Sequence, residues 1–460
     1  MILLAVFTCL ILYGIYELIS KLINLKNLKN ETAAIKTYEN DYENDFKNYQ
    51  KKILIGNDGN REIFLPIDTS HVFVCGTTGS GKTVALSNFI NASVKNNLPM
   101  LIIDGKGDIG NNSLREITKK LKGNGKVYII DLNNPENSDK YNPFKNTSPT
   151  VIKDMLINLT DWSEEHYKLN AERYLQRLIH LMFLADIPLS FQNIVNHIPV
   201  KSFLDISASL VKNEVIGKED HLVNTNIADE SGKVTQGSAA RFSTLIESEL
   251  GSIFDISGKN NDENNGIDIY TALKEGASIL FILNPLTYPE LSPLIGNLII
   301  IDSKKAISNI YNNNLGRIFF IMDEINVYAS KSLLDLINKS RSADITCILA
   351  TQSLSDLDAS TSAGEYFKEQ IIENCNNYIV LRQNSATNAE QWANIIGTRS
   401  TVEVTYQLQA RDGSNGTGSA RIVREYLFHP DEIKNLARGK AVLVSKVDGN
   451  KSDIHIHKPF

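Results

Sequence analysis

The chain has 460 residues, of which 42% are hydrophobic and 22% charged, and a formal net charge of −6. Such a chain can bury a large core, enough for two domains and peripheral segments. The acidic balance argues against a uniformly basic nucleic-acid coat but leaves room for a local basic channel. Its four cysteines, Cys9, Cys75, Cys347 and Cys375, include no Cys-x-x-Cys pair, which argues against a zinc knot or a redox motif of that kind.

Ile2–Tyr16 is apolar apart from Thr8 and Gly14, and Leu18, Ile19, Leu22 and Ile23 prolong the pattern past Glu17 and Ser20. No basic residue precedes the run and no Ala-x-Ala site follows it, as a signal peptide would require. Residues 2–16 are apolar on every face, unlike a helix lying on a membrane surface. The reading is a single transmembrane anchor over 1–23. Lys21, Lys26 and Lys29 behind it would hold the bulk of the chain in the cytoplasm, at the inner membrane. A charged linker with Tyr38, Tyr42 and Tyr49 follows over 24–52.

Ile53–Ile55 and Ile63–Leu65 flank Asn57-Asp58-Gly59-Asn60, a hairpin signal. His71–Cys75 then reads as a buried strand running into Gly76-Thr77-Thr78-Gly79-Ser80-Gly81-Lys82-Thr83, and Val84–Ile90 has helical spacing. Strand, glycine-rich loop and helix are the context of a phosphate-binding loop. Its glycines let backbone N–H groups turn inward onto phosphate oxygens, and the helix start adds its positive dipole end. Lys82 can reach the β- and γ-phosphates, and the Thr83 hydroxyl can ligate Mg²⁺. The expected ligands are therefore ATP and Mg²⁺.

Met100–Ile103 is a further strand, closed by Asp104-Gly105-Lys106-Gly107-Asp108. Asp104 and Lys106 would stand beside the nucleotide if the sheet is doubly wound, or form an ordinary polar turn. Val127–Ile130 is another strand, before Tyr141-Asn142-Pro143-Phe144. Over 150–245 the spacing turns helical, with Ala171, Tyr174, Leu175, Leu178 and Leu181 forming one core stripe. A polar loop follows at 259–265.

The sheet resumes at Ala277–Leu283, followed by a helix near Leu291–Asn309. Ile318–Met322 then leads into Asp323-Glu324, the form of a Walker B strand. Asp323 can hold Mg²⁺ through its water shell, and Glu324 can orient and deprotonate the attacking water. A helix over Leu333–Ser340 ends at Arg341, which can be an arginine finger for a neighbouring subunit, a cation on the helix dipole or a DNA contact. Ile345–Ala350 is a strand ending at Thr351-Gln352-Ser353, where Gln352 can sense the γ-phosphate. Tyr378–Leu381, a helix over Thr387–Ile396, a hairpin over 401–428 and a last strand at Ala441–Val444 complete the pattern. On the hairpin, Arg411, Arg421 and Arg424 can contact phosphates or simply be solvated.

The predicted fold class is α/β with a mainly parallel central sheet. A nucleotide-binding domain over 53–149 and 246–460 is interrupted by an all-helical insertion over 150–245. The motif order resembles the FtsK/HerA class of P-loop ATPases, and within it the type IV secretion and conjugation coupling proteins of the TraG/TraD family. Asp104–Asp108 resembles their Asp-Pro-Lys-Gly-Glu-like segment, with Gly105 in place of the usual proline. Tyr141–Phe144 resembles their Asn-Pro-Leu element, and His429-Pro430-Asp431-Glu432-Ile433 falls in the expected place. One membrane span stands where that family often has two. The resemblance, over roughly 60–450, implies a RecA-like ATPase that assembles as a homo-hexamer at the membrane. It also implies non-sequence-specific, single-stranded DNA in a central channel, and a relaxase and secretion-channel components as partners. The alternatives are a chromosomal DNA translocase of the FtsK/HerA kind, or a nucleotide-gated membrane scaffold or protein-secretion ATPase.

Overall fold

Short apolar runs closed by a polar residue or glycine become the strands of an 11-stranded sheet. The computed structural model describes residues 52–460 apart from 124, 160, 161, 163, 257–265, 314, 361, 362 and 407–417. The expected anchor at 1–23, nearly all of the linker, Cys9, the polar loop at 259–265 and the hairpin tip around Arg411 lie outside the described residues. Among the described residues, no helix is long and apolar enough to cross a membrane.

The strands are β1 (Lys52–Asn57), β2 (Glu62–Pro66), β3 (Val72–Cys75), β4 (Met100–Asp104), β5 (Val127–Asp131), β6 (Ser278–Ile282), β7 (Ile318–Asp323), β8 (Ile345–Thr351), β9 (Asn377–Val380), β10 (Thr398–Tyr406), β11 (Gly418–Tyr426), β12 (Lys440–Ser445) and β13 (Lys451–Ile456). The order across the large sheet is β2-β1-β13-β12-β9-β3-β8-β7-β4-β6-β5. From β9 to β5 all neighbours are parallel. Most of these strands are buried on both faces, which is why they read as continuous apolar runs rather than as alternation. The pleat sends Phe73 and Cys75 into the core on one side, and Val72 and Val74 into the core on the other. Each such side chain contributes roughly 1.5–3 kcal/mol of burial, against the entropy of ordering the chain.

Beyond β9 the sheet turns antiparallel through β12, β13 and β1. Here the sequence expectation needs correcting, since Ala441–Val444 is not the last strand: Lys451–Ile456 follows and inserts between β12 and β1. Its residues are mostly polar and only Ile454 is buried, so it lacks the apolar run that marks the other strands. β10 and β11 form a separate two-stranded ribbon.

Helices occupy Pro149–Asn158, Glu165–Leu184, Phe191–His197, Val200–Lys212, Lys218–Glu247 and Gly251–Phe254. The chain enters and leaves this helical region side by side. Asn142 N donates to Ile267 O at 2.8 Å, and Ile267 N donates to Lys140 O at 2.9 Å. A buried cluster clamps the entry segment to the helix Leu291–Asn313. Tyr141 OH donates to Asp302 Oδ2 at 2.9 Å, and Lys305 Nζ donates to Pro143 O at 2.7 Å and to Thr147 Oγ1 at 3.0 Å.

Candidate active site

Five parallel strands, β9, β3, β8, β7 and β4, deliver their carboxyl ends to one edge of the sheet. In an open α/β sheet this is the edge that binds ligands. After β3 the chain turns through Gly79 and Gly81, both at positive φ (76° and 121°), and the helix Lys82–Lys95 starts at once. The loop is closely supported from below. A methyl on Gly76 would fall 2.5 Å from Leu381 Cβ. Thr77 N donates to Arg382 O at 3.0 Å, and Gly439 N donates to Ser80 O at 3.0 Å. Over Gly79 there is open space instead.

Lys82 is only 8% exposed. Its ammonium donates to Gly76 O at 3.0 Å and lies 3.2 Å from Glu324 Oε1. Gln352 Nε2 donates to the same carboxylate oxygen at 3.0 Å, and Thr78 Oγ1 donates to Gln352 Oε1, also at 3.0 Å. The fold thus brings together Thr78, Lys82, Glu324 and Gln352 from three strand ends. Asp323 stands in register with Asp104 across β7 and β4.

Carboxylates crowd this edge. Burial, followed by the charges of Glu324 and Asp104, raises the Asp323 pKa to about 7, against the opposing pull of Lys82. Burial likewise lifts Asp104 to about 6, although its Oδ1 accepts from Lys106 N and Gly107 N, both at 3.0 Å. Lys106 itself pairs with Asp108 at 3.1 Å, with Asp323 and Asp104 close enough to feel its charge. Two buried carboxylates whose pKa values are raised toward neutrality are poorly compensated, and such groups favour a cation.

Glu324 occupies the left-handed region, at φ 48° and ψ 55°, which is unusual for a residue other than glycine. Two donors fix the turn that holds it there: Gly105 N, 3.2 Å from Asp323 O, and Tyr328 OH, 3.0 Å from the same oxygen. Gly105 also fits where a side chain would not, because a methyl there would fall 2.7 Å from Asp323 O and 2.9 Å from Glu324 O. A proline at 105 would have no N–H to give.

The donor set suits a nucleotide with Mg²⁺. Thr77 Oγ1 and Ser80 Oγ are buried in the loop with no hydrogen-bond partner, as hydroxyls meant for a ligand would be. Among the described residues no group of three or more ligating side chains could hold a metal alone. That agrees with Mg²⁺, which keeps several waters and takes one or two protein ligands beside substrate phosphates. Thr83, at the helix start, and Asp323 would be those ligands.

Arg341 lies elsewhere. It caps the helix Lys331–Ser340 and precedes β8, whereas Gln352 follows β8. Seven strand residues separate them, about 20 Å at roughly 3.3 Å per residue. Arg341 is therefore at the opposite edge of the sheet from its own chain's site. Arg421 lies on the β10–β11 ribbon and pairs with Glu403 at 2.7 Å. Tyr328 and the supports at Arg382 and Gly439 were not singled out from sequence. Arg382 follows an apolar strand just as Gln352 does, so the same strand-end logic would have found it. Nothing local marks Tyr328.

Two family models match the chain. The TraM recognition site of TraD and TraG matches 317–438, and the central domain of helicase HerA matches 53–264. Two uncharacterized proteins of Mycoplasma pneumoniae are related. One is 28% identical over 132 residues, which is 29% of this chain and 84% of that protein; the other is 38% identical over 60 residues, 13% of this chain and 47% of that protein. Among solved structures, the bacterial conjugative coupling protein TrwB superposes with a TM-score of 0.62 at 16% identity, covering 89% of this chain and 90% of that one. TrwB has also been solved with ADP and Mg²⁺, a form that superposes at 0.59. VirB4 of Thermoanaerobacter pseudethanolicus gives 0.53 at 12% identity, covering 89% and 97%. At these identities the structural likeness is one of fold.

Proposed function

We propose that the chain is a TraG/TraD-type coupling protein within the P-loop ATPase class and that it hydrolyses ATP to drive DNA toward a type IV secretion channel. The observation that carries this reading is the constellation of buried Lys82 and Glu324 with half-buried Gln352 beside the phosphate loop. A chain that only bound nucleotide would have no use for a carboxylate base aimed at the loop, set in a left-handed turn and steadied by an amide.

The loop N–H groups, with Thr77 and Ser80, bind the phosphates, and Lys82 meets the charge at the β,γ bridge. Thr83 and Asp323 would hold Mg²⁺, which would supply neutralisation of charge on the transferred phosphoryl group. Glu324 accepts the proton of the attacking water at its carboxylate, and Gln352 fixes the direction of that carboxylate. Lys82, Asp323 and Glu324 are themselves buried, which strengthens their electrostatic interactions. Since Arg341 is remote from its own site, it can complete a site only on a neighbouring copy. The family resemblance implies such an arrangement, a hexameric ring with sites between subunits. A single anchor at 1–23 would hold the ring at the inner membrane. The helical region would receive the relaxase-bound, single-stranded DNA.

The test is ATP turnover by the full chain alone and with single- or double-stranded DNA, with Lys82→Ala as the blank. DNA stimulation that is lost in the blank supports the motor. A preference for double strands moves the reading to a chromosomal translocase. Turnover indifferent to both DNAs moves it to a nucleotide-gated scaffold or a protein-secretion ATPase.

A further inference from the structure

We infer that the Thr78 hydroxyl is a positioning residue that sets the amide of Gln352 and, through it, the direction of Glu324. This rests on the ATPase reading above, but it concerns a contact that phosphate binding by the loop does not require. Thr78 is the third residue of the loop, exposed on its outer side, while Gln352 is 274 residues away at the end of β8.

A glutamine amide can sit either way round, and its neighbours decide which. A carboxylate oxygen that faces the Lys82 ammonium accepts, so the group of Gln352 turned toward it is the NH₂. That turns Oε1 toward the loop, where the Thr78 hydroxyl donates to it. Without a donor at 78, Oε1 would face the loop unpaired, and the amide would be free to rotate or turn outward. The Glu324 carboxylate would then keep Lys82 as its near partner. Lys82 is the group the phosphates draw on, so a carboxylate steered by Lys82 alone follows the nucleotide rather than the water. The arrangement ties the base to the loop itself: a shift of Thr78 as phosphates enter is passed to Glu324 through two hydrogen bonds.

The experiment uses the full chain as Thr78→Val, Thr78→Ser, Gln352→Ala and the double variant Thr78→Val/Gln352→Ala. Thr78→Val keeps the shape and removes the donor, and should lower kcat about tenfold, a fraction of the 10²–10⁴ that a positioned base supplies. KM, and affinity for a fluorescent ADP, should stay within about twofold, because the lost contact is not to the phosphates. Thr78→Ser should restore kcat, and the double variant should be no slower than Gln352→Ala alone. The inference is overturned if Thr78→Val turns over like the parent, if serine does not rescue it, if ADP affinity falls as far as kcat, or if the two losses multiply. Absence of turnover in the parent chain would sink the ATPase reading instead. The contact is then judged by melting temperature in the same four chains. Shifts that fail to add, by about 1–2 °C, uphold the Thr78–Gln352 link, and additive shifts overturn it.

Discussion

The two edges of the central sheet bury polar groups in opposite ways. At the amino edge, His71 is 3% exposed and fully satisfied: its Nδ1 accepts from Cys347 N and its Nε2 donates to Ile337 O, both at 3.1 Å. Around it Thr346 Oγ1 donates to Thr69 O at 2.9 Å, and Asn377 Nδ2 donates to Thr69 Oγ1 at 3.0 Å. At the carboxyl edge, loop hydroxyls lack partners, two aspartates are pushed toward their acid forms and Glu324 holds a left-handed backbone. A buried polar group with every bond made serves the fold. Buried charge left short of partners destabilises the fold, and its presence marks the edge where a ligand is expected.

The sharpest way to break this contrast is to remove the charges at the carboxyl edge. Lys82→Ala should bring ATP turnover to background and weaken nucleotide binding, as read by steady-state turnover and fluorescent-ADP titration. Glu324→Gln keeps the shape and should lower kcat by about 10²–10³ with ADP affinity retained. The melting temperature should hold or rise in Glu324→Gln, which relieves the repulsion with Asp323, and fall in Lys82→Ala, which leaves the buried Glu324 carboxylate without its cation. A large fall in Glu324→Gln would show that this carboxylate holds the fold together, and the contrast between the edges would be lost.

Arg341 tests the contrast from the other side, being a charge with a proposed catalytic role that stands at the amino edge. Arg341→Ala should cut turnover at least tenfold, as expected for an arginine acting on a phosphoryl transition state. Mixing it with Lys82→Ala should recover activity, because some interfaces would pair an intact Lys82 site with an intact Arg341. No recovery, in mixtures shown to assemble together, would reduce Arg341 to a cation on its helix end.

Much of this was legible in the sequence because of how parallel strands are built. β3, β4, β6, β7 and β8 are buried on both faces, so each is a short apolar run, and the polar residue that ends it falls at the ligand edge. That alone points to Asp104, Asp323 and Gln352, while Lys82 is marked by the glycine-rich loop after β3. The strand order was not legible, since β3 pairs with β8 and β9, about 276 and 305 residues away, and no local signal encodes the partner. β13 escaped because a largely polar strand hides among surface residues. The left-handed turn at Glu324 has no glycine at that position to announce it; its causes are Gly105, from the end of β4, and Tyr328, in the turn that follows. The distance of Arg341 from its own site follows from β8 lying between them, a relation that appears only once the strand has a direction.

The smallest of these effects needs only acid. Unfolded, an imidazole titrates near 6.5; in the folded chain burial, aided by the charge of Arg341 and opposed by the bond to Ile337, holds His71 at about 4. Protonation would place an N–H on Nδ1 against the N–H of Cys347, which explains why the folded state refuses it. Between those values the unfolded chain takes up a proton that the folded chain does not. The contribution of His71 to stability is therefore complete above about pH 6.5 and declines as pH falls toward 4. The size is about 1.4 kcal/mol per pH unit within the window, or about 2 kcal/mol at pH 5. Urea unfolding of the full chain at pH 7 and pH 5 reads it. His71→Gln, which can donate and accept in the same place but does not titrate, should be weaker at pH 7 and lose that part of the acid slope. An unchanged slope in His71→Gln would assign the acid sensitivity elsewhere, with the buried carboxylates excluded by sign: their raised pKa values make the folded state bind protons as pH falls, which stabilises it.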